Sequence, residues 1–240
     1  MNLIKNVRHN IPNAITCINV LCGTLAIIAA ANSGETLCGV QCWQWSVYFI
    51  MMAAVADFFD GFMARLLHES HPIGADLDSL SDQVSFGVAP AMLVIFSLFD
   101  SVPLWLSCLP AILPVATALR LAKFNIDTRQ ASGFLGMPVP ANAMFWIGYV
   151  AYLKSGVEWL SAPWALIPAL IFTSWMMISE VPMLSLKFKT WGLKGNMARY
   201  LLVIGSVAFL AAFQLSGMMW IILFYTVISL IFARHSAGNH

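Results

Sequence analysis

Long apolar segments constrain this chain more than any other feature of its sequence. A membrane-spanning helix needs about 20 predominantly apolar residues, and eight segments approach or exceed that length. Their approximate bounds are 12–31, 45–67, 76–99, 104–125, 140–154, 163–186, 198–215 and 218–234. Charged residues make up only 10% of the chain, against about 25% in soluble domains, so a soluble fold is excluded. The sequence predicts an all-α, polytopic transmembrane helical bundle of about eight spans.

Lysine and arginine are distributed unevenly around these segments, and this distribution predicts their orientation. With the N-terminus inside, only Lys154 of the 12 basic residues falls on the outer side. Both termini are therefore predicted to face the cytoplasm, in a prokaryotic inner membrane. The basic inner face suits anionic membrane lipids, and the chain is expected to bind no nucleic acid.

Two local features leave alternatives open. Only Ser216-Gly217 separates the last two segments, which form either a tight hairpin or one irregular element. Cys38 and Cys42 lie four residues apart in the first predicted outer loop, and a disulfide between them requires an oxidising compartment.

One polar stretch, Asp57–Asp82, holds six of the 11 acidic residues of the chain. A carboxylate at membrane depth costs roughly 2.5–3.5 kcal/mol on insertion scales, so such residues usually have a function. Asp57 and Asp60 are three apart, and Asp78 and Asp82 are four apart, so each pair shares a helical face. A polar segment with a proline breaks the helix between the pairs. Two helices joined by a short turn pack antiparallel, so the four carboxylates are predicted to converge.

The residues around these acids favour a site for a metal and a phosphate. Four facing carboxylates suit a hard divalent cation, Mg²⁺ or Mn²⁺, better than zinc. Small residues at helical offsets from the acids allow a bulky ligand to approach; they are Gly61, Ala64 and Gly74. Arg65 adds a fixed positive charge of the kind that a phosphate-binding site needs. The sequence therefore predicts that this site binds a pyrophosphate.

These residues carry a resemblance to a known family. The pattern Asp57-x-x-Asp60-Gly61-x-x-Ala64-Arg65, eight residues, Gly74-x-x-x-Asp78-x-x-x-Asp82 resembles the signature of the CDP-alcohol phosphotransferases, at all eight defining positions. The resemblance implies a CDP-linked lipid substrate and two divalent ions held by the four aspartates. It implies a nucleotide and phosphate pocket lined by Asp60, by the three small residues and by Arg65. It also implies that Asp82 accepts the proton of the acceptor hydroxyl, and that the protein is a homodimer.

Three further stretches are similar to the serine-transferring branch of the family. They are Ser85–Pro90, Arg120–Asn125 and Phe134–Pro140. They imply transfer of the phosphatidyl group of CDP-diacylglycerol to the hydroxyl of L-serine, with release of CMP. Arg120 is the candidate for binding the serine carboxylate, because a buried arginine near a phosphotransfer site commonly binds such a group. The first stretch, with Pro90 in an apolar helix, also predicts a kink.

The first apolar segment carries a polar stripe. Pro12 predicts the start of its helix, and Asn13, Thr16 and Asn19 recur at three-residue intervals on one face. Interhelical hydrogen bonds and ligand contact at the cytoplasmic mouth are both open interpretations. The similarity of this pattern to the first helix of the serine-transferring branch favours ligand contact for Asn13 and Thr16.

Two other functions remain open. A family member with another acceptor, glycerol phosphate or inositol phosphate, would need more than one cationic side chain near the site. A cation transporter would use the four acids for translocation, but such proteins often contain paired broken helices and internal repeats, and we find neither. The chain is predicted to be a single domain, with a catalytic region at 1–155 and additional membrane helices at 156–240.

Overall fold

A computed structural model of the chain describes residues 2–67, 72–126, 134–184, 192 and 196–237. Its α-helices are α1 (Asn2–Ala31), α2 (Cys42–Leu67), α3 (Pro72–Asp82), α4 (Ala89–Leu98), α5 (Leu104–Ser107), α6 (Ile112–Ile126), α7 (Val139–Lys154), α8 (Pro163–Ile178), α9 (Met197–Phe213) and α10 (Gly217–Ala237). Two short antiparallel strand pairs accompany them: β1 (Thr36–Leu37) with β2 (Val40–Gln41), and β3 (Phe134–Leu135) with β4 (Pro182–Met183). The helices form two compact units, Met1–Leu121 and Ala122–His240.

The predicted all-α membrane architecture is confirmed. Each of the eight predicted segments overlaps a helical stretch, but the one at 163–186 is helical only as far as Ile178 and then enters β4. Within the described residues, the stretches long and apolar enough to cross a membrane are Pro12–Ala31, Cys42–Met63, Ile73–Leu98, Leu104–Ile126 and Met197–Phe232. Pro163–Ile178 is a shorter apolar helix. The chain is an integral membrane protein, and its number of crossings stays a prediction.

The stretch Met197–Phe232 is a helical hairpin, and this decides between the two interpretations of Ser216-Gly217. Gln214 adopts φ 50° and ψ −130° and ends α9. A Cβ atom at Gly205 of α9 would lie 2.4 Å from the ring of Phe224 in α10. The rings of Phe209 and Phe224 also pack edge to face, with centroids 5.7 Å apart. The two helices therefore fold back on each other.

The first unit places α1 alongside the helical segment that starts with α3. Hydroxyl groups of that segment donate to backbone carbonyls of α1, from Ser81 to Thr16 at 3.3 Å and from Ser85 to Asn19 at 2.9 Å. Just beyond the far end of α1, Ser33 Oγ donates to the Phe96 carbonyl at 3.2 Å. Residue numbers rise together along both partners, so the two run parallel. The start of α1 and the start of α3 therefore lie at the same end of the unit.

The irregularity expected near Pro90 takes the form of a π-helix, Gln83–Val88, between α3 and α4. The Ala89 N–H donates to the Val84 carbonyl, five residues back. The next residue, Pro90, has no N–H with which to continue a regular α-helical pattern. The wider turn of a π-helix accommodates the missing N–H donor, and π-helical turns often occur at functional sites.

Helix α6 contacts this π-helix directly. Gln83 Nε2 donates to the Pro114 carbonyl at 2.9 Å. A Cβ atom at Gly87 would lie 3.0 Å from Thr117 Cγ2, so glycine lets the Thr117 side chain pack against the backbone of the π-helix without a shift.

In the second unit, the segment before α7 is held against the end of α8. Gly136 adopts φ +72°, and a Cβ atom there would lie 2.7 Å from the Ser179 carbonyl oxygen. Its N–H donates to the Val181 carbonyl at 2.8 Å. Lys123 Nζ donates to the Ile178 carbonyl at 3.1 Å, a favourable place for a cation at a helix C-terminus.

The amino-terminal part contradicts one prediction, the start of the first helix, and decides one open point, the disulfide. Helix α1 starts at Asn2, so Pro12 lies inside it rather than at its start; proline removes one backbone hydrogen bond but does not end this helix. Cys38 and Cys42 are free thiols. Cys38 and Gly39 instead form the turn between β1 and β2, both with positive φ, as two-residue hairpin turns require.

Candidate functional site

Three carboxylates from two helices converge in the first unit. Asp57 and Asp60 lie on α2, and Asp78 lies on α3. Each offers one carboxylate oxygen, and these three atoms lie within 4.8 Å of one another. Asp60 is buried with 5% of its surface exposed, and the other two are half-buried. We call these residues the aspartate triad.

The aspartate triad fits a divalent metal ion. Asp60 Oδ2 and Asp78 Oδ1 are buried, and neither has a hydrogen-bond partner in the part of the chain that the structure describes. Buried carboxylate oxygens without donors, placed beside other carboxylates, are strongly unfavourable. A hard cation relieves both the missing bonds and the repulsion, and an all-oxygen set suits Mg²⁺ or Mn²⁺. The triad can therefore hold a metal.

Asp82 stands beside the triad rather than within it. It lies one turn after Asp78, is half-buried, and interacts electrostatically with Asp57 and Asp78. Its Oδ1 accepts a hydrogen bond from Asn19 Nδ2 at 3.4 Å. The structure therefore brings three of the four predicted carboxylates into one set. The role of Asp82 as a metal ligand stays a prediction, as does its role as a base.

The glycines of the signature leave room next to these acids. Among the described residues, no atom outside the adjoining backbone of α2 lies within 4 Å of the position that a Cβ at Gly61 would take, so open space adjoins Asp60 there. At Gly74 the nearest atom to such a Cβ is Asn13 Oδ1, at 3.4 Å. Ala64 and Arg65 belong to α2, but their side chains lie outside the described part of the chain.

Helix α1 supplies a polar wall to the site. Thr16 is buried and donates its hydroxyl to the Pro12 carbonyl at 3.0 Å. The same hydroxyl lies within hydrogen-bonding reach of the Asp60 carboxylate. Asn13, beside Gly74, is half-buried. Both α1 residues that we predicted to contact ligand therefore lie next to residues of the signature.

Asn19 is the site residue to which sequence reasoning gave no role. Its side chain is fully buried, at 0% exposure, and contacts Asp82. The signal was present in the three-residue spacing of the polar stripe. The partner was not predictable, because 63 residues of sequence separate the two side chains.

Arg120 lies on the buried face of α6, with 5% of its surface exposed. Thr117, one turn earlier on this face, contacts Gly87 of the π-helix that follows Asp82. A buried guanidinium in a membrane protein is costly and usually marks a functional site. The contact of Arg120 with an acceptor carboxylate stays a prediction.

Asp76, the other aspartate of α3 besides Asp78 and Asp82, is exposed rather than placed with the aspartate triad.

Comparison with known proteins agrees with this geometry. The profile of the CDP-alcohol phosphatidyltransferase family matches residues 9–181. A CDP-diacylglycerol–serine O-phosphatidyltransferase of Mycobacterium leprae is 33% identical over 182 residues, covering 72% of this chain and 57% of that protein. The enzyme of that name from Bacillus subtilis is 37% identical over 135 residues, covering 56% of this chain and 71% of that protein. The one from Helicobacter pylori strain J99 is 27% identical over 239 residues, covering 95% and 93%.

These relatives differ in how much of their length the chain covers. It spans less than two thirds of the mycobacterial proteins, at 57% and 60%, but nearly all of the Helicobacter pylori protein. The family match extends over most of the present sequence and includes every residue of the site. The chain belongs to the CDP-alcohol phosphatidyltransferase family.

Proposed function

We propose that this protein transfers the phosphatidyl group of CDP-diacylglycerol to the hydroxyl of L-serine, giving phosphatidylserine and CMP. The observation that carries the proposal is the convergence of the aspartate triad, on helices that bear the complete family signature. The choice of serine is supported by the names of the relatives from Mycobacterium leprae, Bacillus subtilis and Helicobacter pylori. It is also supported by the three sequence stretches similar to the serine-transferring branch.

The four aspartates have two roles, binding of metal ions and acceptance of a proton. The triad and Asp82 hold two divalent ions, Mg²⁺ or Mn²⁺, which when bound neutralise charge on the pyrophosphate and on the leaving CMP. Asp82 accepts the proton of the serine hydroxyl while the oxygen of that hydroxyl attacks the phosphatidyl phosphorus. The bond between that phosphorus and the CMP oxygen then breaks.

Other residues bind and orient the substrates. The open space at Gly61 and the small side chain of Ala64 admit the CDP group, while Arg65 pairs with its phosphates. Asn13 and Thr16 contact the nucleotide from α1, and Gly74 leaves space beside Asn13. Arg120 binds the carboxylate of serine, because a guanidinium matches a carboxylate with two parallel hydrogen bonds.

The site faces the cytoplasm of a prokaryotic cell, and the protein lies in the inner membrane as a homodimer. The placement is supported by the excess of lysine and arginine on one side of the predicted spans. The parallel course of α1 and the segment starting at α3 is consistent with it, because the start of both lies at the end that carries the aspartates. The dimer rests on family resemblance alone.

The direct test is CMP release from CDP-diacylglycerol by the purified protein in lipid nanodiscs. We expect release to require serine, to stop with EDTA and to return with Mg²⁺ or Mn²⁺. Glycerol phosphate and inositol phosphate serve as competing acceptors. Equal or faster release with either of them would contradict the serine assignment but not the phosphatidyl transfer.

Asp78→Asn tests the metal site, with Asp76→Asn as its matched control. Asp76 lies on the same helix and is exposed, so its replacement should leave activity and metal binding unchanged. Asp78→Asn should remove most activity and should also weaken binding of Mn²⁺ alone, measured by electron paramagnetic resonance. Full activity with unchanged Mn²⁺ binding in Asp78→Asn would contradict the metal site.

A further inference from the structure

Asn19 is fully buried at the contact between α1 and the segment that carries Asp82. Its Nδ2 donates a hydrogen bond to Asp82 Oδ1 at 3.4 Å. The assignment of the amide nitrogen to this contact is physically required, because the amide oxygen would repel a carboxylate. One oxygen of Asp82 is therefore occupied by a donor from another helix.

Neighbouring contacts fix the backbone of Asn19 relative to Asp82. The Asn19 carbonyl accepts a hydrogen bond from Ser85 Oγ at 2.9 Å, one turn after Asp82. On the other side, Ser81 Oγ donates to the Thr16 carbonyl at 3.3 Å. One turn beyond Asn19, Gly23 packs so closely that a Cβ there would lie 2.3 Å from Ser85 Oγ. The amide of Asn19 thus projects from a backbone that is held on both sides.

The amide oxygen of Asn19 indicates that this residue does more than pack two helices together. Asn19 Oδ1 is buried and has no hydrogen-bond partner among the described residues. A buried acceptor without a donor destabilises a fold, and leucine, which has the same branched shape and number of heavy atoms, would not carry that penalty. Such exceptions in buried regions call for an explanation, and a catalytic role is one of the recognised ones.

We propose that Asn19 is a positioning residue for Asp82. Its hydrogen bond to Oδ1 fixes the rotamer of Asp82 and leaves Oδ2 to accept the proton of the acceptor hydroxyl. The same bond keeps the Asp82 carboxylate next to the aspartate triad. This inference rests on the proposed function, and it assigns Asn19 no contact with either substrate.

The first test is Asn19→Leu in the full-length protein. We expect kcat to fall about 10²-fold, the size of loss that a misplaced reacting group produces, with the KM values for CDP-diacylglycerol and serine little changed. The melting temperature should stay the same or rise. Asn32→Leu is the matched control, since Asn32 is exposed just after the end of α1 and its amide donates to the Ile28 carbonyl of that helix. Its turnover should equal that of the wild type.

A double variant shows whether Asn19 acts through Asp82. If it does, Asn19→Leu should cause little further loss of single-turnover rate in an Asp82→Asn background, because coupled residues are not additive. Independent, additive losses would overturn the inference, as would unchanged kcat in Asn19→Leu. A parallel fall in melting temperature and kcat would also overturn it, by indicating a purely structural role. A wild-type protein without phosphatidyl transfer would instead contradict the proposed function itself.

Discussion

Asp82 differs from the other acidic side chains of the site in its contacts, and this difference leads to a prediction. Because it stands outside the aspartate triad, its replacement should affect proton transfer more than metal or nucleotide binding. Asp82→Asn should retain CDP-diacylglycerol binding and lose about 10²–10⁴-fold in transfer, the usual contribution of a general base. Single-turnover rates and equilibrium lipid binding measure the two effects. If the variant lost CDP-diacylglycerol binding, Asp82 would be better described as a metal ligand alone, without a role as a base.

Arg120 offers a prediction about the acceptor. A charge-assisted hydrogen bond to a carboxylate contributes about 1.5–3 kcal/mol, or about 10- to 150-fold in affinity. Arg120→Lys keeps the charge but not the two parallel hydrogen bonds, so it should raise the KM for serine within that range and leave the KM for CDP-diacylglycerol nearly unchanged. Lys123→Met, on the same helix, is the control: it removes a hydrogen bond to the end of α8 and should lower stability without changing the KM for serine. An unchanged serine dependence in Arg120→Lys would remove Arg120 from the acceptor site.

At the level of elements, the close approach of α1 to the π-helix depends on one glycine. A Cβ at Gly23 would lie 2.8 Å from the Cα atom of Ser85, a backbone atom that cannot rotate away. Gly23→Ala should therefore push the two helices apart and destabilise the fold by about 1–3 kcal/mol, as overpacking does. It should lower activity as well, because Asn19 lies one turn away. Thermal unfolding in detergent and CMP release measure both.

Gly34→Ala is the matched control for that prediction. In the described part of the chain, no atom beyond its chain neighbours lies within 4 Å of a Cβ at Gly34, so this variant should behave like the wild type. A Gly23→Ala protein that unfolds at the wild-type temperature would show that the helices adjust without loss.

The same elements show what a sequence can and cannot predict here. Apolar length places each helix, because a chain in lipid must satisfy its own backbone hydrogen bonds, and helical spacing brings Asp57 and Asp60 to one face. The π-helix was expected only as a kink, since its form depends on the bond from Ala89 to the Val84 carbonyl. The pairing of β3 with β4 joins residues about 48 positions apart. Contacts of this kind depend on tertiary packing, which local patterns do not encode.

The whole molecule combines a region that the family profile matches and a region beyond that match. The family match ends at residue 181, and the α9–α10 hairpin follows it. The structure divides the chain at a different place, after Leu121, because compactness and sequence relationship are separate properties. The division into a catalytic region at 1–155 and additional helices at 156–240 stays a prediction. Deletion from residue 196 onward, assayed for CMP release, would show whether the α9–α10 hairpin is needed for transfer.

The orientation of the whole molecule can be tested through Cys38. This residue is exposed in the turn between β1 and β2, which connects the ends of α1 and α2 that lie away from the aspartates. If the aspartates face the cytoplasm, the turn must face outward. A protein with Cys38 as its single cysteine, in which Cys17, Cys22, Cys42 and Cys108 are replaced by alanine, should react in intact spheroplasts with a thiol reagent that cannot cross the membrane. A cysteine-free protein carrying Asn239→Cys should react only after permeabilisation, because an inner C-terminus is shielded by the bilayer. The reverse pattern would place the acidic site on the outer side and contradict the proposed orientation.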